Sequence, residues 1–380
     1  MKWEARSQIF RSMPLRSYLL FCAAVAFTFA TVGVVNDLFD LAHSDRLHLI
    51  LRILTTSGFS VLWVVALHRR TPKFIALLIA VQVAWMVATA RLFPLLHRNL
   101  SPSEWQMQAM FHGFLILIFV LFGYGWFGTF FQVESKRYFA AHTEIELASQ
   151  IQKQLVPPIQ LQTSTVEIFG FSQPSGTVGG DLVDAVESNG TVYAYVADVA
   201  GHGVAAGVMM SMVKTAVRMH LQTQTGSATR LLEALNDTLA PLTAPSAYAT
   251  LASVLVGADP AVTYTVAAHL PILHYQRATH SIQRRTVENL PVAMFPGITY
   301  QSATFNFVPG DILAIVTDGL TEVFDAGQKE LGDVYIEQAL VGLAEQPLDV
   351  IAKSILETAR RFGKIVDDQT LLLLRRRSTN

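Results

Sequence analysis

The pattern of hydrophobic and polar positions changes character once along the chain. In the first part, apolar residues run without charge over lengths that match a bilayer: residues 17–36, 74–90 and 105–133 are runs of 20, 17 and 29. Residues 53–68 are a shorter run. Residues 47–50 extend it if Arg52 lays its stem on apolar surface and keeps its head at the interface. A spanning helix takes ~20 mostly apolar residues, so the pattern predicts four spans. Beyond residue 160 the runs shorten to strand length or alternate. They predict strands at 166–171, 191–198, 249–256, 262–268, 301–307, 312–317 and 370–374, and helices at 204–220, 228–239, 334–344 and 348–362. Strands come in consecutive runs and helices in pairs. That grouping favours antiparallel sheets with helices packed outside them over an alternating βαβ fold.

Between the two parts, residues 132–155 contain no Gly or Pro, and Pro157–Pro158 end the stretch. Ala141, Ile145, Ala148, Ile151 and Leu155 recur at three- and four-residue spacing, a narrow apolar stripe on a polar helix. The expected organisation is therefore an α-helical membrane domain over 1–131, a coiled-coil-like linker over 132–158, and an α+β domain over 159–380.

Composition sharpens this reading. Hydrophobic residues make up 51% of 380 and charged residues only 15%, which excludes extensive disorder. A single cysteine, Cys22, excludes a disulfide framework or a Cys-rich zinc site. The net charge of −1 hides a split: residues 1–140 carry 13 Lys/Arg against 6 Asp/Glu, and residues 141–380 carry 15 against 23. An acidic second half argues against nucleic acid as a partner. The basic residues of the first half flank the spans. Lys2, Arg6, Arg11 and Arg16 precede the first, Arg69, Arg70 and Lys73 separate the second from the third, and Lys136 and Arg137 follow the fourth, while Arg91 and Arg98 between the third and fourth are a modest exception. The positive-inside rule then places both termini in the cytoplasm. His48, His68, His97 and His112 lack the cross-helix pairing a haem would need and read as interfacial or packed.

The acidic residues of the second half fall at strand ends. Gly179-Gly180-Asp181 lies in a turn before a strand-like stretch. Asp198 closes a predicted strand and is followed by Val199-Ala200-Gly201-His202-Gly203 and a helix. Asp318 closes another and precedes Gly319, and Asp367-Asp368 stand directly before the last. Singly, each reads as a turn or cap residue. Together, at the ends of strands and without cysteine, they suit hard divalent cations such as Mg²⁺ or Mn²⁺. A pair of such ions can activate water and clamp a phosphoryl group.

Residues 144–375 resemble the bacterial SpoIIE/RsbU-type branch of the metal-dependent type 2C (PPM) serine/threonine protein phosphatases. The matching pieces are Ile151-Gln-Lys-Gln-Leu-Val-Pro-Pro158, Val178-Gly-Gly-Asp-Leu-Val-Asp184, Ala197-Asp-Val-Ala-Gly-His-Gly203, Ala267-Ala-His-Leu-Pro271, Pro309-Gly-Asp-Ile-Leu313, Thr317-Asp-Gly-Leu-Thr-Glu322 and Asp367-Asp-Gln-Thr-Leu371. The resemblance implies an α-β-β-α sandwich and two Mn²⁺ or Mg²⁺ ions. By motif match, Asp181, Asp198, the Val199 backbone carbonyl, Asp318 and Asp367 would hold them. It further implies hydrolysis of phosphoserine or phosphothreonine, commonly on a STAS-domain anti-sigma-factor antagonist. The apolar stripe, at the position of a helix implicated in dimerisation in related phosphatases, leads to the expectation of a homodimer through the linker helix. The four spans and the positive-inside rule lead to the expectation of a multi-pass protein of the bacterial inner membrane with the phosphatase domain cytoplasmic. The sequence departs from the family where Leu182 replaces an aromatic and where Ala268-His269-Leu270-Pro271 lacks a glycine.

For proton transfer to the leaving serine oxygen, His202 is a candidate acid. Its other reading is a surface histidine at a helix start. His269 reads as packing or as support for the site, and Asp184 as structural. The alternative from another class is a catalytically weak membrane scaffold that binds a signalling partner without turnover.

Overall fold

The computed structural model describes residues 13–41, 45–69, 72–92, 100–201, 203–223, 227–243 and 247–378. The chain divides into two compact units, Met1–Ala141 and His142–Asn380.

The first unit is helical: α1 (Leu15–Leu38), α2 (Arg46–Arg69), α3 (Pro72–Leu92) and the first part of α4 (Pro102–Leu155). Each of these four helices is long and apolar enough to cross a membrane. Large apolar side chains such as Leu19, Leu54, Leu77, Phe114 and Leu121 point outward, the inverse of a water-soluble bundle. Helix contacts inside the unit are aromatic and polar. Phe27 stacks on Phe122 at 5.5 Å between centroids, and the Trp63 indole donates to Gln82 Oε1 at 2.9 Å. α4 continues as one helix to Leu155, and residues 132–155 hold no Gly or Pro that would break it.

The second unit contains two antiparallel sheets. One has six strands in the order β1 (Ile159–Gln162), β2 (Val166–Gln173), β11 (Gln369–Arg376), β10 (Ile312–Val316), β7 (Ile272–Gln276), β8 (Ser281–Arg285). The other has five, in the order β3 (Leu182–Ser188), β4 (Thr191–Val199), β5 (Ala249–Val256), β6 (Ala261–Ala267), β9 (Ala303–Asn306). α5 (Val204–Thr223) and α6 (Ala228–Leu239) pack on the five-stranded sheet, α7 (Val334–Gly342) and α8 (Leu348–Phe362) on the six-stranded one.

Period-2 geometry explains why the central strands are apolar throughout. Leu313, Ile315, Leu372 and Leu374 face the core between the sheets. Their neighbours Ile312, Ala314, Val316, Leu371 and Leu373 face α7 and α8. α8 answers with Leu348, Ile351, Ala352, Ile355 and Ala359, one stripe at helical spacing. Fully burying one such leucine stabilises the fold by about 1.5–3 kcal/mol. α6 starts where Ser227 caps the Arg230 amide at 3.3 Å.

Four strands escaped the hydrophobic pattern. β1 and β8 are the two edges of the six-stranded sheet, where one side of each strand meets solvent and polar residues are favoured. β7 is five residues long, and β3 begins directly at the Gly-Gly-Asp turn. The expected strand at 301–307 shortens to Ala303–Asn306.

Candidate metal centre

The expected carboxylates meet because four strand ends meet. β3 pairs with β4 so that Leu182 lies opposite Ala197. That register sets Asp181, just before β3, beside Asp198, the next-to-last residue of β4. β10 pairs with β11 so that Val316 lies opposite Leu371, which brings Asp318 and Asp367-Asp368 to one end of the other sheet. Hydrogen bonds then join the two sheets. Thr317 Oγ1 donates to Asp181 Oδ2 at 2.8 Å, and the Gly180 amide donates to Asp368 Oδ2 at 2.8 Å.

The electrostatics are those of carboxylates buried close to one another. Burial, and then the neighbouring Asp198, push the Asp181 carboxyl well above the usual carboxylate range. Burial, then Asp318 and Asp367, push Asp198 up to about 6. Asp318 is raised by burial and by Asp367, and Glu322 by burial and by Asp318. Among the described residues no Lys or Arg pairs with Asp181, Asp198, Asp318 or Asp367. Uncompensated carboxylates of this kind are what a hard divalent cation relieves. The Val199 carbonyl oxygen, 2.8 Å from where a Cβ on Gly180 would stand, adds a neutral oxygen donor beside Asp181. No three Asp, Glu, His or Cys side chains among the described residues close on a single point as a finished metal shell. Mg²⁺ and Mn²⁺ sites rarely need one, since one or two carboxylates with several waters suffice. The donor set therefore fits the metals.

Several residues not assigned from sequence hold this arrangement. Asp368 is a fastening: besides Gly180 N, its carboxylate accepts from Ser175 N at 2.7 Å and Ser175 Oγ at 3.0 Å. Thr317 Oγ1 also accepts from Thr370 N at 3.0 Å. Buried Gln152, near the end of α4, grips Gly179 from both sides: Oε1 accepts from its amide at 2.9 Å and Nε2 donates to its carbonyl at 3.0 Å. The adjacent pair Asp367-Asp368 was the available signal for the fastening, since two neighbouring carboxylates seldom share one role. Nothing local in the sequence singled out Gln152 or Thr317.

His202, the candidate acid, lies outside the described residues. Asp184 stands apart, paired with Arg218 at 2.6 Å and Lys214 at 3.4 Å, in a structural role. His269 is in contact with Thr250 Oγ1 at 2.8 Å, and burial lowers its ring to about 4. Beside it Ala268 takes φ +50°, the left-handed conformation where the related motif has glycine. That costs about 1–2 kcal/mol. A cavity of 650 Å³ borders the centre, lined in part by Ser175, Thr177, Gly201, Lys364 and Asp367. Among the described residues, Lys364 is the cation in that lining.

Comparison with known proteins accords with this geometry. The family model for stage II sporulation protein E (SpoIIE) matches residues 188–377, half of the chain. Phosphoserine phosphatase RsbU of Bacillus subtilis (strain 168) is 26% identical over 275 residues, covering 71% of this chain and 81% of RsbU. The SiaA-PP2C domain of Pseudomonas aeruginosa is similar with a TM-score of 0.54 at 18% identity, over 63% of this chain and 98% of that domain. This last likeness is one of fold. With the two sheets, their flanking helix pairs and the carboxylates at the meeting strand ends in place, the chain belongs to the SpoIIE family and is a phosphatase.

Proposed function

We propose that the protein is a membrane-anchored, metal-dependent phosphatase that hydrolyses phosphoserine or phosphothreonine on a partner protein of the STAS-domain antagonist class. The observation that carries this reading is the set of four uncompensated carboxylates where the ends of both sheets meet. Asp181, Asp198, Asp318, Asp367 and the Val199 carbonyl would hold two Mn²⁺ or Mg²⁺ ions. Bound there, such ions would supply a lowered pKa for water and neutralisation of phosphoryl oxygens. The chain's own residues do the rest. Thr317 orients Asp181, and Asp368 and Gln152 fix the Gly179-Gly180 backbone. Lys364 draws an anionic phosphoryl group into the cavity beside Asp367. His202, three residues after Val199 in the sequence, would return a proton to the leaving oxygen.

The test is turnover of a phosphoserine peptide by the full-length protein in detergent. Chelation is expected to abolish it and added Mn²⁺ to restore it. Asp318→Asn should lower kcat by about a hundredfold or more with little change in the melting temperature. Equal rates with and without chelator would overturn the metal mechanism. Metal-independent peptide binding without turnover would favour the scaffold reading.

The basic flanks of the helices support a topology with both termini and the catalytic unit in the cytoplasm of a bacterial cell. A reporter active only in the cytoplasm should work when fused after Asn380 and fail near Asp40; the reverse pattern would reject this orientation.

The linker stripe supports a homodimer. Leu155 packs on the core, whereas Ile145 and Ile151 remain exposed. In a Cys22→Ser background, Ile151→Cys should give a disulfide-linked dimer in membranes under mild oxidation. A monomer only would count against pairing through this helix.

A further inference from the structure

Asp37 on α1 is fully buried and His112 on α4 nearly so. The His112 ring has an acceptor at each nitrogen. Nδ1 lies 2.7 Å from the Gln108 carbonyl oxygen, and Nε2 lies 2.8 Å from Asp37 Oδ2. A neutral imidazole has one N–H and can satisfy only one of them. Both bonds coexist when the pair holds an extra proton. It sits either on the ring, opposite an ionised Asp37, or on Asp37, whose O–H then donates to Nε2. In both forms the pair is neutral with the proton and carries one negative charge without it. A buried acceptor facing another acceptor costs about 1–3 kcal/mol, more when charged.

The surrounding charges make this proton count. Arg52 on α2 approaches Asp37 Oδ1 with Nε at 3.6 Å, and its other nitrogens reach Asp40 Oδ2 at 2.5 Å and the Asn36 carbonyl at 2.6 Å. Among the described residues Arg52 is shared by Asp37 and Asp40, and a proton on His112 lowers the negative charge beside them by one. Asp45 and Arg46, at the start of α2, line the same 870 Å³ cavity as Asp37, Gln108, Phe111 and His112. Asp45 is itself paired with His48 at 2.8 Å. The cavity gives water a route from the polar start of α2 to the pair.

We propose that His112 and Asp37 form a proton-binding site, open to the compartment opposite the cytoplasm. The bound proton ties α4 to α1, and its loss loosens that tie. The side it faces rests on the topology proposed above. Because α4 is one unbroken helix as far as Leu155 and carries Gln152, a change in its tether acts on the helix that grips Gly179.

The test uses full-length protein labelled with ¹⁵N-histidine in phosphatidylcholine–phosphatidylglycerol vesicles, with catalytic units outward and lumen and exterior buffered separately. A ring signal absent from His112→Gln is expected to change when the lumenal pH is changed. Hydrolysis of an external phosphoserine peptide with Mn²⁺ should change by about fivefold or more across the same pH change. Asp37→Asn should remove both responses, because its amide donates to Nε2 while the Nδ1 proton stays on Gln108. A His112 signal that stays neutral throughout overturns the site. A titration without any activity response overturns the tie, and a response to exterior pH alone overturns the facing. The ring signal needs no turnover, so titration in an inactive protein would count against the phosphatase reading and not against the proton site.

Discussion

Asp198→Asn is expected to lower turnover by at least about a hundredfold, since even residues that only support metal ligands are worth 10–100-fold, and yet to stabilise the metal-free fold. Both effects come from one charge. Asp198 is buried against Asp318 and Asp367, which raises its carboxyl from the ordinary 3.8 to about 6. The folded state therefore holds this proton more tightly than the unfolded chain does. Between pH 3.8 and about 6 the folded protein binds more protons than the unfolded one, so stability falls as pH rises through that window. Above it, the ionised carboxylate costs the metal-free fold up to about 3 kcal/mol. Asparagine has the same shape without the charge and escapes this cost. Melting in chelator at about pH 4.5 and 7.5 should show a drop with pH in the wild type and a smaller drop in the variant. A variant that melts lower than wild type at neutral pH would mean that Asp198 is not repelled. Sacrificing stability for a charged site is common where function needs it.

Gly179→Ala is expected to have the other large effect, through geometry alone. A Cβ on Gly179 would stand 2.0 Å from Asp368 Oδ2, inside any allowed contact. Asp368 would have to leave Gly180 N and Ser175, and the turn carrying Asp181 would move with it. Overpacking of this kind costs about 1–3 kcal/mol, and a shift of ~1 Å in a reacting group costs ~100-fold in rate. Gly176 is the control: a Cβ there meets nothing within 4 Å. Kinetics and melting of the two variants should separate sharply, with Gly176→Ala near wild type. Gln152→Ala should fall between them, since it releases two hydrogen bonds on the same turn without forcing a clash. Normal turnover in Gly179→Ala would show that the turn is not held where catalysis requires it.

Much of the architecture was legible from the chain because it depends on neighbouring residues. The charge-free runs at 17–36, 74–90 and 105–133 correspond to long apolar helices. The strands at 312–317 and 370–374 were legible because both their faces are buried, leaving no polar position to obscure them. The edge strand Ser281–Arg285 was hidden by its polar residues, which its exposed side tolerates. The carboxylates stood out by their place at strand ends next to Gly or a second Asp, and the resemblance ordered them into one site.

What the sequence by itself determined is the element order, the apolar faces, the charge asymmetry between the halves, and which acidic residues end strands. The tertiary structure alone decided which groups meet. Asp368 holds Ser175 across 193 residues, and His112 meets Asp37 across 75. The sequence could read His112 only as interfacial or packed, and Asp368 only as the neighbour of Asp367. The physical reason is that helical and strand periodicity is set by residues within a few positions of each other. A hydrogen-bond partner is set by where the chain returns, and in this protein the strand ends and the packing of α4 on α1 decide that.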